Sequence, residues 1–369
     1  MKNKALYNQF KQFFLGLKPS DNIALLHDTD PDGNSSGKII DEAINQLGCK
    51  IKLYLVNERK DHSISDKSIT LLKRHNINKL ITTDKVVDES PEQIRKIEQF
   101  AEICIFDHHI IQHDVSSKRT VFLKPQLLFN TKKPEYYCSA KFSYDLLSSI
   151  VNLNDLDWIC AAGIIGDSAT KTWKIFLKKT LSKYHLPEEK NIYNTKIGLI
   201  TKLIFFAEAL NEPEECFNLL LQSKSIDEAL TNLSKYHKVK TEVEKYQDKF
   251  ESLTEKYQKA NLYLLEIHTP SKIKSYLSNL ISQKHPHKNI IILQQINNEM
   301  TISARRSDGK LNMDTLLKES LQNVQGNGGG HCPAAGGSVI MRDFPKFKEQ
   351  LIKIAEQMEQ KKTKKIQQS

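Results

Sequence analysis

Three aspartates stand at alternate positions of one short segment, Asp28, Asp30 and Asp32, directly after an apolar run. Carboxylates this close repel one another unless protons or a cation intervene. Several hard oxygen donors with imidazoles nearby select Mg²⁺ or Mn²⁺, and histidine favours Mn²⁺. The same residues would also suit a turn that caps the next helix, so the segment alone leaves both interpretations open. An EF-hand is disfavoured because its twelfth loop position falls on Ile39 or Ile40 rather than Glu.

A second group of polar side chains is the triplet Asp107-His108-His109, which follows another apolar stretch. Adjacent histidines on an extended segment point in opposite directions, so one can bind a metal while the other contacts a substrate. Two further aspartates, Asp84 and Asp167, each end an apolar run. Either would suit an ordinary turn or helix cap by itself. With the other groups, they offer the bridging carboxylate and the distal ligand that a dinuclear site needs.

A glycine-rich segment near the C-terminus offers bare backbone N–H groups for anion binding. It contains Gly328, Gly329, Gly330 and His331. No Lys-Ser/Thr pair follows, so the segment is not a Walker loop. We predict an anion nest, with a flexible hairpin turn as the alternative. Arg305 and Arg306 end a predicted strand and could add bidentate phosphate contacts, and we expect one of them to face solvent.

An alternation of strands and helices must position these residues. The apolar runs predict strands at Ile23–Leu26, Ile51–Val56, Lys79–Thr83 and Ile103–Phe106. The periodicity predicts helices at Ser35–Leu47, Asp66–His75, Pro91–Phe100, Ser139–Val151 and Asp155–Ile165. Such alternation predicts an α/β fold with a mainly parallel sheet and helices on both faces. Ligands gather at the carboxyl ends of the strands in such sheets, where Asp28, Asp84 and Asp107 are expected.

The second half of the chain is organised differently. From about residue 180 to 260 the pattern is polar and rich in Lys and Glu, as expected of a helical connector. Strands return at Leu262–Ile267, Asn289–Gln294 and Met300–Ala304, and a helix closes the chain. We therefore predict a parallel-sheet N-terminal domain at 1–180, a helical connector at 181–260 and a smaller C-terminal α/β domain at 261–369.

Composition narrows the class of protein. The net charge of +10 favours a polyanionic partner such as nucleic acid, although a general Lys-rich bias would give the same value. The 6 cysteines are scattered without a CxxC pair, which argues against a zinc ribbon or a disulfide framework and fits a reducing compartment. No run approaches the ~18 apolar residues of a membrane span, and the N-terminus reads as an amphipathic helix. We expect a cytoplasmic protein with no membrane contact.

Taken in order, these segments resemble the DHH phosphoesterase superfamily. The matching motifs are the Asp-rich loop (Asp28, Asp30, Asp32), a lone aspartate (Asp84), the DHH triplet (Asp107, His108, His109), a Gly-Asp motif (Gly166-Asp167) and a GGGHCPAAGG segment similar to the signature of the DHHA1 domain. Any one of these motifs would be weak. Five in the expected order make the resemblance specific to a DHH domain followed by a DHHA1 domain.

The resemblance implies a site with two divalent ions, for which Mn²⁺ is favoured and Mg²⁺ is the alternative. The implied ligands are Asp30, Asp32, Asp84, His108 and Asp167, with Asp84 as the bridge. His109 would face the scissile phosphate, and Asp107 would support the site. In many relatives a histidine opens the first motif, but here His27 is offset by one residue and Asp28 takes that place, as in RecJ-type loops. We therefore favour Asp28 over His27 as the ligand.

The implied activity is metal-dependent phosphoester hydrolysis. A RecJ-like exonuclease that cuts single-stranded DNA or RNA from an end is favoured by the Asp-rich loop and the basic charge. In that case Arg305, the glycine segment and His331 would hold the terminal nucleotide. The alternative is a hydrolase of nano-RNA, 3′-phosphoadenosine 5′-phosphate (pAp) or cyclic dinucleotides. Its usual Asn-Pro-Asp motif is missing, but no OB-fold extension for long strands is evident either.

A third hypothesis is a non-catalytic nucleic-acid-binding scaffold. It is disfavoured because every candidate ligand is present in the sequence. The substrate, single-stranded nucleic acid or a short oligonucleotide, is the expected ligand in the first two hypotheses. A homodimer or a replication or repair partner would be compatible with all three.

Overall fold

The computed structural model of the protein describes residues 2–56, 64–129 and 136–367. The chain forms two compact units. The first contains Met1–Glu208 and Glu212–Tyr236, and the second contains Ala209–Asn211 and His237–Ser369. Residues of the predicted connector, 181–260, therefore belong to both units, and its status as a separate segment stays a prediction.

The first unit is built on a sheet of short strands. They are β1 (Ile23–His27), β2 (Ile51–Val56), β3 (Lys79–Thr83), β4 (Glu102–Phe106) and β5 (Thr120–Leu123). Among the described residues the order is β2-β1-β3-β4-β5, and every pairing is parallel. The central strands read as continuous apolar runs because a parallel sheet is covered on both faces.

Helices surround this sheet. They are α1 (Lys4–Leu15), α2 (Pro31–Gln46), α3 (Asp66–Arg74), α4 (Pro91–Glu98), α5 (Pro125–Leu128), α6 (Ser139–Leu147), α7 (Asp157–Gly166), α8 (Lys174–Lys183), α9 (Lys196–Ala209), α10 (Pro213–Gln222) and α11 (Ile226–Asn232). Ile103 and Ile105 of β4 share one core cluster with residues of α3 and α4. Phe106 points to the other face, where its ring contacts Phe10 and Phe14 of α1.

Helix α2 is buried along most of its length and packs against α6 and α7. This close packing brings its first turn to the start of α6. Gly163 of α7 makes the approach possible, since a Cβ there would lie 2.4 Å from the Cβ of Ala140 and 3.0 Å from Oδ1 of Asp32. The first turn of α2, which carries Asp32, is thereby held against α6 and α7.

The second unit is a mixed sheet covered by helices. Its elements are α12 (Lys240–Asp248), α13 (Phe250–Leu253), β6 (Glu255–Tyr257), β7 (Leu262–Ile267), α14 (Lys274–Lys284), β8 (Asn289–Ile296), β9 (Glu299–Arg305), α15 (Met313–Ser320), β10 (Gly326–His331), β11 (Ala334–Ile340) and α16 (Phe344–Gln367). The strand order is β10-β11-β9-β8-β7-β6, in which only β7 and β8 pair in parallel among the described residues. Leu316 of α15 and Phe347 of α16 belong to the core cluster on this sheet.

The predicted α/β fold class is confirmed, and each predicted strand is present. Three details differ. Helix α2 begins at Pro31 rather than at Ser35, so the Asp-rich segment forms the helix cap and first turn. Strand β5 was not predicted, because its 4 residues follow a long polar stretch. The predicted anion nest is instead the extended strand β10, paired with β11. No helix in the described part of the chain is both long and apolar enough to cross a membrane.

Candidate metal centre

The carboxyl ends of β1, β3 and β4 form one edge of the first sheet. Their last residues lie in register, so Asp28, Asp84 and Asp107, which follow directly, stand level on adjacent strands. The predicted gathering of these side chains at one sheet edge is thus found in the fold, as expected of a parallel sheet.

Three sets of side chains have ligand atoms within 4.8 Å of one another in the described part of the chain. They are Asp28, Asp30 and Asp84; Asp84, His108 and His109; and Asp32, Cys138 and Asp167. Asp84 belongs to two of these sets, which is the position that a bridging ligand would take. Every predicted ligand except His27 is in one of them. Cys138 was not predicted.

Asp84 is buried and has a left-handed backbone, with φ of 58°. This conformation is uncommon for a residue other than glycine, although aspartate tolerates it better than most. Its Oδ1 accepts a hydrogen bond from Oγ of Ser139 at 2.9 Å and lies 3.4 Å from Nε2 of His108. Burial by itself raises the pKa of Asp84, but the hydrogen bond and charge of His108 outweigh it and leave the pKa lowered. The side chain is therefore held ionised between fixed donors.

The carboxylates of Asp30 and Asp32 lie near other negative charges, including that of Asp84. Burial, followed by the charge of Asp84, raises the pKa of each well above its usual value. Asp30 caps α2, accepting a hydrogen bond from the N–H of Gly33 at 2.9 Å. Asp32 accepts hydrogen bonds from the N–H groups of Ser139 at 2.7 Å and Ala140 at 2.9 Å. The helix-cap interpretation is thus confirmed for Asp30, and it coexists with a cluster of carboxylates that repel one another.

His27 belongs to none of the three ligand sets. It is buried, its Nδ1–H donates to the carbonyl oxygen of Asp28 at 2.7 Å, and its ring lies 3.9 Å from that of Phe217. Burial lowers the pKa of His27 to about 4, so the ring is neutral at pH 7. The Asp28 carboxylate, by contrast, is in one of the three ligand sets. Of the two competing residues, the geometry favours Asp28.

His108 and His109 have different nearest partners, but the predicted opposite directions are not found, since their ring centroids lie 4.6 Å apart and both belong to the set with Asp84. Nε2 of His108 faces Asp84, and also lies 3.9 Å from Oδ2 of Asp32. Burial lowers the pKa of His108, but Asp167 and Asp84 outweigh it, and the pKa is raised well above its usual value. Nδ1 of His109 instead lies 2.7 Å from Oδ1 of Asp107.

A buried lysine holds the triplet in place. Nζ of Lys124 donates to Oδ2 of Asp107 at 2.8 Å, to Oδ1 of Asp88 at 3.1 Å and to the backbone oxygen of His109 at 3.1 Å. Its side chain and both carboxylates are fully buried. Little in the local pattern could have signalled this residue, since Lys124 follows the unpredicted strand β5.

Two other polar residues at this edge were missed. Ser139 donates to both Asp84 and Asp32, at the start of α6. Lys85 is buried, and its Nζ lies 3.8 Å from Oδ1 of Asp28. Only the adjacency of Lys85 to Asp84 could have suggested it.

Comparisons with known proteins bear on both units. Residues 260–359 match the model of the DHHA1 domain. No curated protein matches the chain significantly.

Solved structures share the whole fold. RecJ from Thermus thermophilus in complex with Mn²⁺ has a TM-score of 0.70 at 16% identity, over 96% of this chain and 55% of that one, so this chain spans about half of its length. An exonuclease RecJ bound to manganese has a TM-score of 0.67 at 17% identity, over 96% and 95% of the two chains. The pGpG-specific phosphodiesterase PggH from Vibrio cholerae has a TM-score of 0.50 at 15% identity, over 92% and 100%. The resemblance to the DHH/DHHA1 superfamily is confirmed.

Within the DHHA1 domain, the predicted substrate-binding residues lie on neighbouring strands. The register pairs Ala334 of β11 with Arg305 on one side and with the backbone of His331 on the other. The side chain of His331 lies outside the described part of the structure. The N–H of Gly330 donates to Oδ1 of Asp314 at 2.8 Å, so it is already engaged within the domain.

Glycine is needed in β10 for close packing rather than for a nest. A Cβ at Gly328 would lie 2.7 Å from Cδ1 of Leu321, and one at Gly330 would lie 2.4 Å from the carbonyl oxygen of Ala334. Gly329 shows no such crowding, since a Cβ there would meet nothing closer than 3.6 Å. The glycine run therefore lets strand β10 pack tightly against its neighbours.

The two arginines at the end of β9 differ. Arg306 is 1% exposed, and its guanidinium donates to Asp308, Asn289 and Glu359. Arg305 is half-buried at the last position of the strand. Arg306 is committed to the interior of the domain, and the prediction that one of the two arginines faces solvent stays a prediction.

Proposed function

We propose that this protein is a metal-dependent phosphodiesterase that acts as a RecJ-like exonuclease on single-stranded DNA or RNA. The observation that carries the proposal is the position of Asp84, which belongs to two sets of potential ligands at one sheet edge. The donor set fits a divalent cation, because Asp30 is partly buried and Asp32 is buried, and burial together with the charge of Asp84 raises the pKa of both carboxylates. Oxygen donors with imidazole favour Mn²⁺, with Mg²⁺ as the alternative.

We assign the ligands by combining the three sets described above, without His109 and Cys138. Asp28, Asp30 and Asp84 would hold one ion, and Asp32, His108 and Asp167 would complete the second position beside Asp84. When bound, two such ions activate a water molecule and neutralise charge on the phosphoryl group. Ser139 keeps Asp84 and Asp32 at fixed positions through its two hydrogen bonds. The ligands are thus oriented before a cation arrives.

His109 is the group that we assign to the substrate. Asp107 accepts the Nδ1 proton of His109, so the ring is held in one tautomer and orientation. Burial lowers the pKa of His109, but the charge of Asp107 outweighs it and the pKa is raised. A protonated imidazole can donate to a phosphate oxygen of the substrate. In the DHHA1 domain, Arg305 and the strand of Gly328–Gly330 are the proposed contacts for a terminal nucleotide.

A second candidate function is the hydrolysis of nano-RNA, pAp or cyclic dinucleotides. The likeness to a pGpG-specific phosphodiesterase favours it. A non-catalytic scaffold has less support, because the described ligand sets are complete. Association with a second copy or with a replication or repair protein would be compatible with any of these functions.

The test uses purified protein with Mn²⁺ and four end-labelled substrates: a long single-stranded DNA, a long RNA, a dinucleotide and a cyclic dinucleotide. Stepwise shortening of the long strands is expected. Hydrolysis of only the short substrates would replace the first candidate by the second. The double variant Asp84→Ala, His108→Ala is the control for contaminating nucleases. If the wild type shows no metal-dependent hydrolysis of any substrate, both enzymatic candidates are excluded.

A further inference from the structure

A lysine-rich segment follows the candidate metal centre along the chain. Between Asp167 and Glu188 the sequence has no acidic residue, and its lysines are Lys171, Lys174, Lys178, Lys179 and Lys183. Exposed helices usually mix the two signs of charge, which neutralises a surface locally. This segment keeps one sign over its whole length, although acidic and basic residues are mixed elsewhere in the chain.

Most of these lysines lie on one face of α8. The helix buries Leu177, Thr180 and Leu181, and the opposite face is exposed. On that face Lys174 and Lys178 are one turn apart, about 6 Å along the axis. Ile175 lies between them and Lys179 and is 73% exposed. We name Lys174, Ile175, Lys178 and Lys179, together with Lys171 in the turn before α8, the α8 basic face.

The charges of this face are largely uncompensated. Lys178 pairs with Glu188 at 2.9 Å. For Lys171, Lys174 and Lys179, the described part of the chain provides no ion pair. The three ammonium groups repel each other, and the side chain of Ile175 exposes apolar surface to water. A bound polyanion with apolar faces would neutralise these charges and cover this apolar surface.

The start of α8 is anchored beside the ligand sets. The indole Nε1 of Trp173 donates to the carbonyl oxygen of Tyr136 at 2.8 Å, and its ring lies 4.8 Å from that of Tyr137. The next residue is Cys138, whose Sγ lies within 4.8 Å of carboxylate oxygens of Asp32 and Asp167. The α8 basic face therefore follows Asp167 closely along the chain, and Trp173, which precedes the helix, packs on the segment that leads to Cys138.

We infer that the α8 basic face binds the phosphates of a single-stranded nucleic acid beyond the scissile bond, with Ile175 against a base. The inference deepens the proposed function and rests on it for the identity of the strand. Lysines at phosphates contribute through release of counterions, which is independent of sequence. A surface of this kind makes the protein prefer strands of several nucleotides over dinucleotides.

The test compares two triple variants of the full chain. The first is Lys171→Gln, Lys174→Gln, Lys179→Gln, which leaves the Lys178–Glu188 pair intact. The control is Lys4→Gln, Lys50→Gln, Lys67→Gln, which removes the same charge from exposed lysines elsewhere in the first unit. Binding of a fluorescent 20-nucleotide single strand is measured by anisotropy in EDTA, over a series of salt concentrations. Circular dichroism establishes that both variants are folded.

For the first variant we expect the affinity for the strand to fall at least about tenfold. The slope of log K against log salt should fall by about 2, since three phosphate contacts at about 0.7 each are lost. With Mn²⁺, the ratio of kcat/KM for the 20-nucleotide strand to that for a dinucleotide should also fall about tenfold. Ile175→Ser should weaken strand binding without changing the salt slope.

Equal strand affinities for the two triple variants would overturn the inference. If the first triple variant no longer binds anionic phosphatidylserine vesicles but still binds the strand, the inference is overturned in favour of a lipid surface. Because binding is measured in EDTA, these outcomes do not depend on hydrolysis. A wild type that binds the strand through this face but cleaves nothing would leave the inference standing and exclude the proposed function.

Discussion

Nδ1 of His109 lies 2.7 Å from Oδ1 of Asp107, and Oδ2 of the same carboxylate lies 2.8 Å from Nζ of Lys124. One buried carboxylate thus orients a partly exposed imidazole, and a buried ammonium in turn orients the carboxylate. Burial raises the pKa of Asp107, but His109 and Lys124 outweigh it and leave the pKa lowered. The triplet is therefore a rigid arrangement in which only the last side chain is turned toward solvent.

The first prediction concerns the tautomer of His109. Asp107→Asn keeps the shape of the side chain but can donate a proton to Nδ1, which would place the imidazole proton on the wrong nitrogen. We expect kcat to fall about 10²-fold or more, with Mn²⁺ affinity within about twofold of wild type. Steady-state kinetics and calorimetric titration with Mn²⁺ measure the two quantities. A variant with full kcat would show that His109 does not depend on Asp107.

The second prediction concerns stability. Lys124→Met leaves Asp88 and Asp107 buried without their common cation. Breaking a buried ion pair in this way costs about 3–5 kcal/mol of the free energy of unfolding. Urea unfolding at pH 7 measures the change. Lys118→Met, at an exposed position in the connection between β4 and β5, should change the value by no more than about 0.5 kcal/mol. A small effect at both positions would contradict a stabilising role for the ion pairs of Lys124 with Asp88 and Asp107.

The third prediction separates a metal ligand from a helix cap at Asp30. Asparagine also caps helices well, so Asp30→Asn keeps the cap and removes one repelling charge. In EDTA at pH 7 we expect the free energy of unfolding to rise by about 1 kcal/mol. Mn²⁺ affinity should fall at least about tenfold. A loss of stability with unchanged Mn²⁺ affinity would leave Asp30 as a cap alone.

The raised pKa of Asp30 also predicts how the free energy of unfolding depends on pH. The pKa of Asp30 is raised in the folded protein, so its proton stabilises the fold at pH values below its unfolded pKa. That stabilisation is lost as the pH rises through the folded pKa. The advantage of Asp30→Asn over the wild type in EDTA should therefore grow as the pH is raised from about 4 to about 8. Asp66→Asn, at an exposed position in the first turn of α3, is the control and should show no such trend.

The fourth prediction concerns the choice between His27 and Asp28. His27 packs on Phe217 and lies in none of the described ligand sets, so His27→Phe should keep Mn²⁺ affinity within about twofold. Asp28→Asn removes a carboxylate from one set and should weaken Mn²⁺ binding at least about tenfold. Calorimetric titration on both variants decides between them. The reverse outcome would identify His27 as the ligand.

The fifth prediction uses two adjacent arginines of the DHHA1 domain. Arg305→Gln should raise KM about tenfold with little change in stability, because Arg305 is assigned to the substrate. Arg306→Gln should lower the free energy of unfolding by about 3 kcal/mol or more, because Asp308 and Glu359 lose their buried partner. Kinetics and urea unfolding on both variants distinguish the roles. A stability loss at Arg305 of the same size would assign it to the core.

The sequence by itself determined the fold class and the neighbourhood of the candidate site. Apolar runs separated by helical periods specify a parallel sheet, and a parallel sheet places every strand end at one edge. Asp28, Asp84 and Asp107 meet there because β1, β3 and β4 are neighbours in register. The DHH and DHHA1 motifs could also be recognised in the sequence, because each lies within one short segment.

Only the tertiary structure decided which side chains complete the cluster. Ser139 donates to Asp32 across 107 positions of sequence, and Cys138 joins the same set, because α2 and α6 pack closely. Lys124 reaches Asp107 from the end of β5, a strand too short to predict. Local patterns record propensity and burial period, whereas contacts between distant segments depend on how helices and strands pack. For that reason the carboxylates could be read from the sequence, but the groups that hold them could not.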